Sequence, residues 1–483
     1  MIISLYTSRV ILQALGVEDY GLYNVVGGIV IMFQMLNSTL SSASQRFITF
    51  ALGEGDAMNI KRVFTTSLTL HCYLGLLLTV IVECIGCWLL YNKMKIPEDR
   101  LEVAFWVLQI SIATMFVNVV SVPYNSTIIA HERMNAFAYI SIIECISKLL
   151  IAYILIISPI DKLLLYAILM FVVALSIRML YSLYCKRNFK ETQNIRLKVD
   201  KALYKEIFSF SGWNLLGNGS MALRNQGIDI LLNTQFGVVV NAAKGISNQV
   251  DNAIYQFVGN FQTAVIPQIT KSVAVNDINR TKSLVYNASR YSFLLLSFFV
   301  VPLLYFTDAI LDFWLTEIPD WSSSFIKLTL IYLLWDTISR LHIASILATG
   351  NIKKYQIVAG CTKLFALPIC FVVLKIGGAP ISGILVNVFL EIICLGERLY
   401  FTKKLLGFNT KEFIKSVILR CWFTFGIAFF TCYLLNYFIN QIIIVVFPLS
   451  CIVTFLCITY IGIDKSERNT VISYITNKFF KYG

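Results

Sequence analysis

The chain consists of long apolar stretches separated by short polar or charged breaks. Each stretch reaches about 18 residues or more, which lets a helix cross a hydrocarbon core about 30 Å thick while pairing its own backbone groups. At 57% hydrophobic and 14% charged residues, the composition excludes an ordinary soluble globule. We therefore predict membrane spans near 1–15, 22–45, 65–91, 102–129, 136–158, 162–185, 207–234, 238–262, 285–307, 324–348, 355–376, 379–401, 414–437 and 440–463.

The distribution of Lys and Arg predicts the orientation of these spans. Basic residues gather in alternate loops, including the linker 186–206, and the positive-inside rule places such loops in the cytoplasm. The C-terminus is then cytoplasmic. The net charge of +13 reflects topology and contact with anionic lipids rather than nucleic-acid binding. The opposite side holds only Lys93, Lys95, Arg100, Lys162 and Lys375.

The sequence contains an internal repeat. Residues 10–65 match residues 231–286, so that Asp56 falls on Asp277 and Lys61 on Lys282. With six spans in each half, both halves enter the membrane in the same orientation and form parallel repeats. The second half begins at a position that corresponds to a point before Met1, so we expect the first helix to lack its cytoplasmic half. Either the start codon is chosen too far downstream, which we favour, or this copy is truncated.

These patterns predict an all-α, polytopic membrane protein of about fourteen transmembrane helices. Two parallel six-helix repeats are followed by a C-terminal helix pair that has no counterpart in the repeat. Pro123, Pro302 and Pro368 fall inside spans and should kink them. The predicted parts are a first lobe at 1–190, a cytoplasmic linker at 191–206, a second lobe at 207–405, and the last two helices with a tail at 406–483.

No residue cluster predicts a metal site or a cofactor. The twelve cysteines lie almost entirely within spans. Cys84 and Cys87 form a Cys-x-x-Cys pair, but neither a companion pair nor a nearby histidine accompanies them. We interpret the cysteines as small apolar side chains of the helix bundle.

The opening of the chain resembles a known family. The segment from Ser8 to Tyr23, with Arg9, the Leu-Gly pair and Asp-Tyr-Gly, resembles the first helix and first external turn of polysaccharide flippases. These belong to the multidrug/oligosaccharidyl-lipid/polysaccharide exporter superfamily, whose MATE members share the two-lobe fold. Arg46 and the region 53–56 are also similar to that family. The truncated start and the absence of a matching substrate-specific motif are the two departures.

The resemblance implies a carrier for an oligosaccharide on undecaprenyl diphosphate, such as an O-antigen, capsule or exopolysaccharide unit. Such carriers work by alternating access, from the cytoplasmic to the periplasmic leaflet of the bacterial inner membrane. The first, second, seventh and eighth spans would line the central cavity. Besides membrane lipids, the implied partners are a polysaccharide polymerase and a chain-length regulator, and nucleic acid is not one of them.

Basic residues inside spans are the first candidates for chemistry. A charge at mid-bilayer costs roughly 2.5–3.5 kcal/mol on insertion scales, so it needs a partner, a watery cavity or an escape to the interface. Glu144 and Lys148 lie four residues apart, as do Asp336 and Arg340, so each pair can neutralise itself on one helix face. Two further basic residues lie near span ends and can extend to the interface: Arg178 and Lys327.

Four basic residues without such an explanation are candidates for binding the substrate. Arg9, Arg224, Lys244 and Lys363 fall within or at the edge of spans, and the resemblance adds Arg46. A diphosphate suits such groups, because guanidinium binds its oxygens in bidentate fashion and ammonium supplies charge. The alternative for each is an ion pair with an acid on a neighbouring helix.

Two acids on the seventh and eighth spans are candidates for a gate or for ion coupling. Asp229 and Asp251 could bind a coupling proton or Na⁺. Under the repeat, Arg9 matches the neighbour of Asp229, so both should lie at a similar depth in opposite lobes. We hypothesise that they pair and hold the external gate shut, the alternative being that each completes a local hydrogen-bond network.

Three other functions are compatible with parts of the sequence. A cation-coupled multidrug exporter of the same fold would favour acids and aromatics in its cavity, and a peptidoglycan lipid-precursor flippase differs only in substrate. A polysaccharide polymerase or ligase would be an enzyme of a different class. It usually needs a large external loop with clustered catalytic groups, and the external segments here are short.

Overall fold

The structure is a computed structural model that describes residues 7, 10–11, 14–15, 19, 23, 34–92, 100–193, 200–236, 238–315, 318–438, 443–465 and 467–469. All regular elements within these residues are helices, which confirms the all-α prediction. Helices carry the number of the predicted span they correspond to. For α1, the span near 1–15, only single residues are described.

The described helices match the predicted succession of spans. The first half contains α2 (Gln34–Glu54), α3 (Ala57–Asn92), α4 (Leu101–Ala130), α5 (Met134–Ile157) and α6 (Lys162–Asn188). The second half contains α7 (Lys201–Phe236), α8 (Val238–Ala274), α9 (Ile278–Trp314), α10 (Ser322–Thr349), α11 (Lys353–Lys375) and α12 (Ser382–Leu406).

Two further helices follow the second half. The segment α13 comprises Thr410–Phe413, a π-helical turn at Ile414–Ile418 and Leu419–Phe438. The segment α14 comprises Ile443–Cys457 and a second π-helical turn at Ile458–Gly462. By length and composition, eight of the described helices can cross a membrane: α3, α4, α5, α6, α9, α10, α11 and α13.

The packing of the helices repeats as the sequence does. In the first half α4 packs against α2, α3 and α6, and α5 packs against α6. In the second half α10 packs against α8, α9 and α12, and α11 packs against α12. Each of these four contacts of the first half therefore has its counterpart six helices later, as expected for parallel repeats.

Asp56 and Asp277, which the repeat matches to each other, both cap the start of a helix. Asp56 precedes α3, and its Oδ1 accepts a hydrogen bond from the backbone amide of Met58 at 2.9 Å. Asp277 precedes α9, and its Oδ1 accepts from the amide of Arg280 at 3.0 Å. Each carboxylate caps the free amides at the start of a helix, which stabilises a helix by about 1 kcal/mol. The repeat thus preserves capping as well as hydrophobicity.

The chain divides into two compact units, residues 1–218 and 219–483, with the boundary inside α7. The core of the second unit includes Phe293, Leu330, Leu334, Ile338 and Leu399, all buried. Because lipid is as apolar as these side chains, close packing and interhelical hydrogen bonds hold such helices together.

The helix pair α13–α14 packs on α9 and is tied to it by charges. Arg290 of α9, only 6% exposed, forms ion pairs with Asp464 and Glu467 just beyond α14. Arg420 of α13 also donates to Asp464 at 2.7 Å, and the Tyr291 hydroxyl donates to Glu467 at 2.6 Å. We call this group the C-terminal latch. The C-terminal helix pair, which has no counterpart in the repeat, is therefore held to α9 of the second repeat by ion pairs.

One of the three helices with a predicted kink departs from helical geometry. The backbone of Phe306 in α9 leaves the helical region at φ −101° and ψ 17°, four residues after Pro302. A proline strains the turn before it, here the turn that begins at Phe298, so Pro302 does not account for the departure at Phe306. In contrast, α4 and α11 run as single helices through Pro123 and Pro368.

Candidate functional site

The second unit contains a partly open polar cavity of about 270 Å³. It contains four residues that the sequence singled out, two cationic and two acidic. The lining residues come from α7, α8, α10 and α12. They are Met221, Arg224, Asn225, Gln226, Ile228, Asp229, Lys244, Asn248, Asp251, Asn252, Thr329, Tyr332, Ile384 and Asn387.

Helical periodicity places the charged residues on the cavity wall. On α8, Lys244, Asn248 and Asp251 are separated by four and three residues, so their side chains share one face of the helix. On α7, Arg224 and Ile228 are four residues apart, and Asp229 follows directly. Two neighbouring helices of the repeat thus supply the cations and the acids together.

Arg224 is held in place by an aromatic neighbour on α10. Its side chain is 3% exposed, and its Nη2 donates to the hydroxyl of Tyr332 at 3.2 Å and to Oδ1 of Asn225 at 3.2 Å. The guanidinium carbon also lies 5.6 Å from the centre of the Tyr332 ring. Neither contact is to a carboxylate, and the carboxylates of Glu391 and Asp336 act on this charge from a longer distance.

Lys244 lies about one helical turn before Asn248 and Asp251 about one turn after it, and the two side chains carry opposite charges. The Nζ of Lys244 donates to Oδ1 of Asn248 at 2.9 Å. The Oδ1 of Asp251 is buried and has no hydrogen-bond partner among the described residues. A buried carboxylate oxygen without a partner is costly, which suits a group that exchanges a proton or a cation.

A buried charge network lies on α10 and α12. Asp336 pairs with Arg340, and Arg398 lies 2.6 Å from Glu391 and 3.6 Å from Asp336. The side chains of Glu391 and Arg398 are 1% and 2% exposed. The sequence predicted the Asp336–Arg340 pair but missed Glu391 and Arg398. Both are ionisable residues inside the predicted span 379–401, where a charge needs a partner, and that is the signal that could have identified them.

The remaining candidate residues lie elsewhere. Lys363 of α11 is not among the residues lining the cavity, and its electrostatic neighbours are Arg398, Glu391 and Arg224. Arg46 of α2 belongs to the first unit, where its guanidinium packs on Phe47 at 4.5 Å from the ring centre. Arg9 lies outside the described residues, so its proposed pairing with Asp229 stays a prediction.

The basic residues interpreted as structural do have local partners. The Nζ of Lys148 lies 2.6 Å from Oε1 of Glu144, as the spacing of four predicted. Lys327 pairs with Asp308 at 2.9 Å near the end of its helix. Arg178 packs its guanidinium on the Tyr124 ring, 4.3 Å from the centre, and its extension to the interface stays a prediction.

Comparison with known proteins defines the family and the fold. The family described as "Polysaccharide biosynthesis protein" matches residues 1–273, more than half of the chain. No curated protein is significantly similar to this chain.

Solved structures of transporters share the fold. A point mutant of a MATE protein has a TM-score of 0.70 at 14% identity, over 83% of this chain and 94% of that one. An outward-facing multidrug resistance MATE transporter of the MOP superfamily has a TM-score of 0.70 at 15% identity, over 84% and 93%. A MOP superfamily transporter from Pyrococcus furiosus, described as having a binding pocket of reverse polarity, has a TM-score of 0.69 at 14% identity, over 85% and 95%.

These structures confirm a transporter fold of about fourteen helices, built from two six-helix repeats with an additional helix pair. The family match and the internal repeat both indicate a membrane transporter, and a charged cavity is compatible with one. The chain belongs to the polysaccharide biosynthesis protein family, a flippase family of the MOP superfamily of membrane transporters.

Proposed function

We propose that this protein is a flippase that moves an undecaprenyl-diphosphate-linked oligosaccharide from the cytoplasmic to the periplasmic leaflet of a bacterial inner membrane. The observation that carries the proposal is the presence of Arg224 and Lys244 in one cavity, on adjacent helices, in a chain of this family. A diphosphate is a compact anion with oxygens for both a guanidinium fork and an ammonium group.

The two acids of the cavity suggest how the substrate is taken up and released. With Asp229 and Asp251 ionised, the four charged groups that line the cavity balance one another. Protonation of either acid, or its binding of Na⁺, leaves a net positive charge that favours the diphosphate. Loss of that ion restores the balance and favours release. In this scheme the two carboxylates and the diphosphate compete for Arg224 and Lys244. Because the ion changes the charge of the carboxylates, the binding of the ion and the binding of the substrate are coupled.

Binding to the purified protein in lipid nanodiscs tests the headgroup role. We expect the wild type to bind undecaprenyl diphosphate, and Arg224→Ala and Lys244→Met each to weaken binding by about tenfold or more, the value of a charge-assisted hydrogen bond. Lys327→Met, which removes a cation that lies outside the cavity, is the matched control and should bind as the wild type does.

The same experiment separates the proposal from drug export. A multidrug exporter would bind a lipophilic cation such as ethidium, with an affinity that depends on Asp229 and Asp251 rather than on Arg224. Binding of ethidium without any binding of undecaprenyl diphosphate would replace the flippase with the exporter.

A further inference from the structure

A second polar cavity, of about 490 Å³, lies inside the first unit. Its lining residues come from α2, α4, α5 and α6, and none of them belongs to the cavity of the second unit. Its volume falls within the range of roughly 300–1,000 Å³ that is usual for small-molecule sites.

One wall of this cavity is a polar stripe on α4. Thr114, Asn118, Ser121 and Asn125 are separated by four, three and four residues, so they follow one face of the helix. The stripe runs about 16 Å at 1.5 Å per residue. It occupies the middle and second half of a helix that is otherwise apolar enough to span the membrane. At that depth, polar groups are retained where they line a cavity.

The stripe has hydrogen-bonding capacity that the protein itself does not use. The amide oxygen of Asn125 is buried and has no hydrogen-bond partner among the described residues. Leaving such a group unpaired costs about 1–3 kcal/mol, so a guest or water must supply the missing donor. In contrast, the hydroxyl of Thr114 is satisfied by its own helix, through Ile110 at 2.8 Å.

The other walls decide what kind of guest fits. On α5, Glu144 and Lys148 form an ion pair at 2.6 Å, so the described lining carries no net charge. On α6, Val173 and Ile177 contribute apolar surface, and Tyr181 contributes an aromatic ring. A free phosphate or a drug cation would find the charges of the lining already paired with each other. A sugar, with hydroxyls around its edge and C–H groups on its faces, matches amides on one wall and apolar and aromatic groups on another.

We infer that this cavity binds sugar residues of the transported oligosaccharide, with Asn118 and Asn125 as the residues that hydrogen-bond to the hydroxyls. The inference rests on the proposed function and deepens it. The neutral lining of this cavity suits the sugar part of the substrate, whereas the charged lining of the other cavity suits its diphosphate.

A pair of lipid probes separates the two roles. Undecaprenyl diphosphate carries the headgroup alone, and the lipid-linked oligosaccharide extracted from a polysaccharide-producing strain carries the sugars as well. The affinity of each is measured on the purified protein in nanodiscs. Asn125→Leu keeps the shape of the side chain and removes its polar atoms. Such a change at an unpaired group is close to neutral for folding.

The wild type should bind the glycosylated lipid more tightly than the bare one. Asn125→Leu should lower the affinity for the glycosylated lipid by about threefold to tenfold, the value of one hydrogen bond. Its affinity for the bare lipid should be unchanged. Two serine variants, one inside the cavity lining and one outside it, provide a further comparison. Ser121→Ala should act in the same direction, whereas Ser176→Ala on the exposed face of α6 should have no effect.

Each outcome has a distinct meaning. If the wild type gains affinity from the sugars and Asn125→Leu and Ser121→Ala retain all of that gain, the sugars bind elsewhere and the inference is wrong. If the sugars add no affinity to the wild type, the inference is wrong while the headgroup role stands. If the wild type binds neither lipid, the proposed function itself fails.

Discussion

Arg398 and Glu391 form an ion pair inside the second unit, two turns apart on α12, with Nη1 2.6 Å from Oε1 and both side chains at most 2% exposed. Asp336 lies within 3.6 Å of the same guanidinium and also pairs with Arg340. Two acids and two cations thus balance on α10 and α12, next to the helices that carry Arg224 and Lys244. The network therefore lies on two of the four helices that line the charged cavity.

Removing one member of this network should destabilise the protein strongly. Glu391→Ala leaves Arg398 buried without its closest acid, and breaking a buried pair in this way costs about 3–5 kcal/mol. Denaturation of the detergent-solubilised protein measures the loss. The control is Asp308→Ala, which breaks the more exposed pair with Lys327 and should cost at most about 1 kcal/mol. Equal stability of the two variants would show that the network is not structural.

Tyr332 should act by positioning Arg224. Tyr332→Phe keeps the ring and removes the hydroxyl to which Arg224 donates at 3.2 Å. We expect a loss of affinity for undecaprenyl diphosphate of about twofold to tenfold, smaller than that of Arg224→Ala, because the guanidinium keeps its charge but loses an anchor. Tyr305→Phe on α9, outside the cavity, is the matched control. A loss as large as that of Arg224→Ala would mean that the hydroxyl itself contacts the substrate.

Asp251 should oppose anion binding. Asp251→Asn removes a negative charge from the cavity that holds Lys244, so undecaprenyl diphosphate should bind more tightly than to the wild type. The same variant should respond less to pH and Na⁺ than the wild type does, because Asp229 is then the acid that remains in the cavity lining. Isothermal titration across pH and Na⁺ concentration measures both effects. Weaker binding in Asp251→Asn would indicate that the carboxylate supports the anion site instead.

The C-terminal latch should loosen in acid. A hydrogen bond from Arg420, with the charges of Arg420 and Arg290, holds the pKa of Asp464 below its usual value. A carboxylate with a lowered pKa contributes stability above its ordinary pKa of about 3.9 and loses it as the pH falls further.

Hydrogen exchange of α14 measures the latch. Protection should decrease as the pH falls below about 4 in the wild type. Asp464→Asn should show reduced protection already at pH 7, with little further change in acid. Lys282 and Glu412 form another ion pair near the same helices, and Glu412→Gln controls for a general effect of losing a surface carboxylate. Unchanged protection in Asp464→Asn would exclude the latch.

Much of the fold was predictable because membrane helices are recognisable by their length and because the repeat doubles each signal. Asp56 and Asp277 show this, since both cap the third helix of a half. The Asp336–Arg340 pair was equally visible from its spacing of four. The presence of Arg224 and Lys244 in one cavity followed from a resemblance that placed their helices around a central path.

Other features required side-chain geometry. The bond from Arg224 to Tyr332 joins residues from different helices, so no spacing along the chain reveals it. Lys363 was a candidate because it is basic and intramembrane, but which face of α11 it occupies depends on packing, and it does not line the cavity. The stripe from Thr114 to Asn125 was present in the sequence, but weakly polar residues within an apolar helix are also common where helices simply pack.

The most direct test of the central claim is to determine which membrane face holds the lipid-linked oligosaccharide in a host strain that lacks this protein, with and without its restoration. The account predicts accumulation on the cytoplasmic face, relieved by the wild type and by the Lys327→Met control but not by Arg224→Ala. An oligosaccharide that reaches the periplasmic face in the deletion strain and stays unpolymerised would contradict it, because the protein would then act after transport.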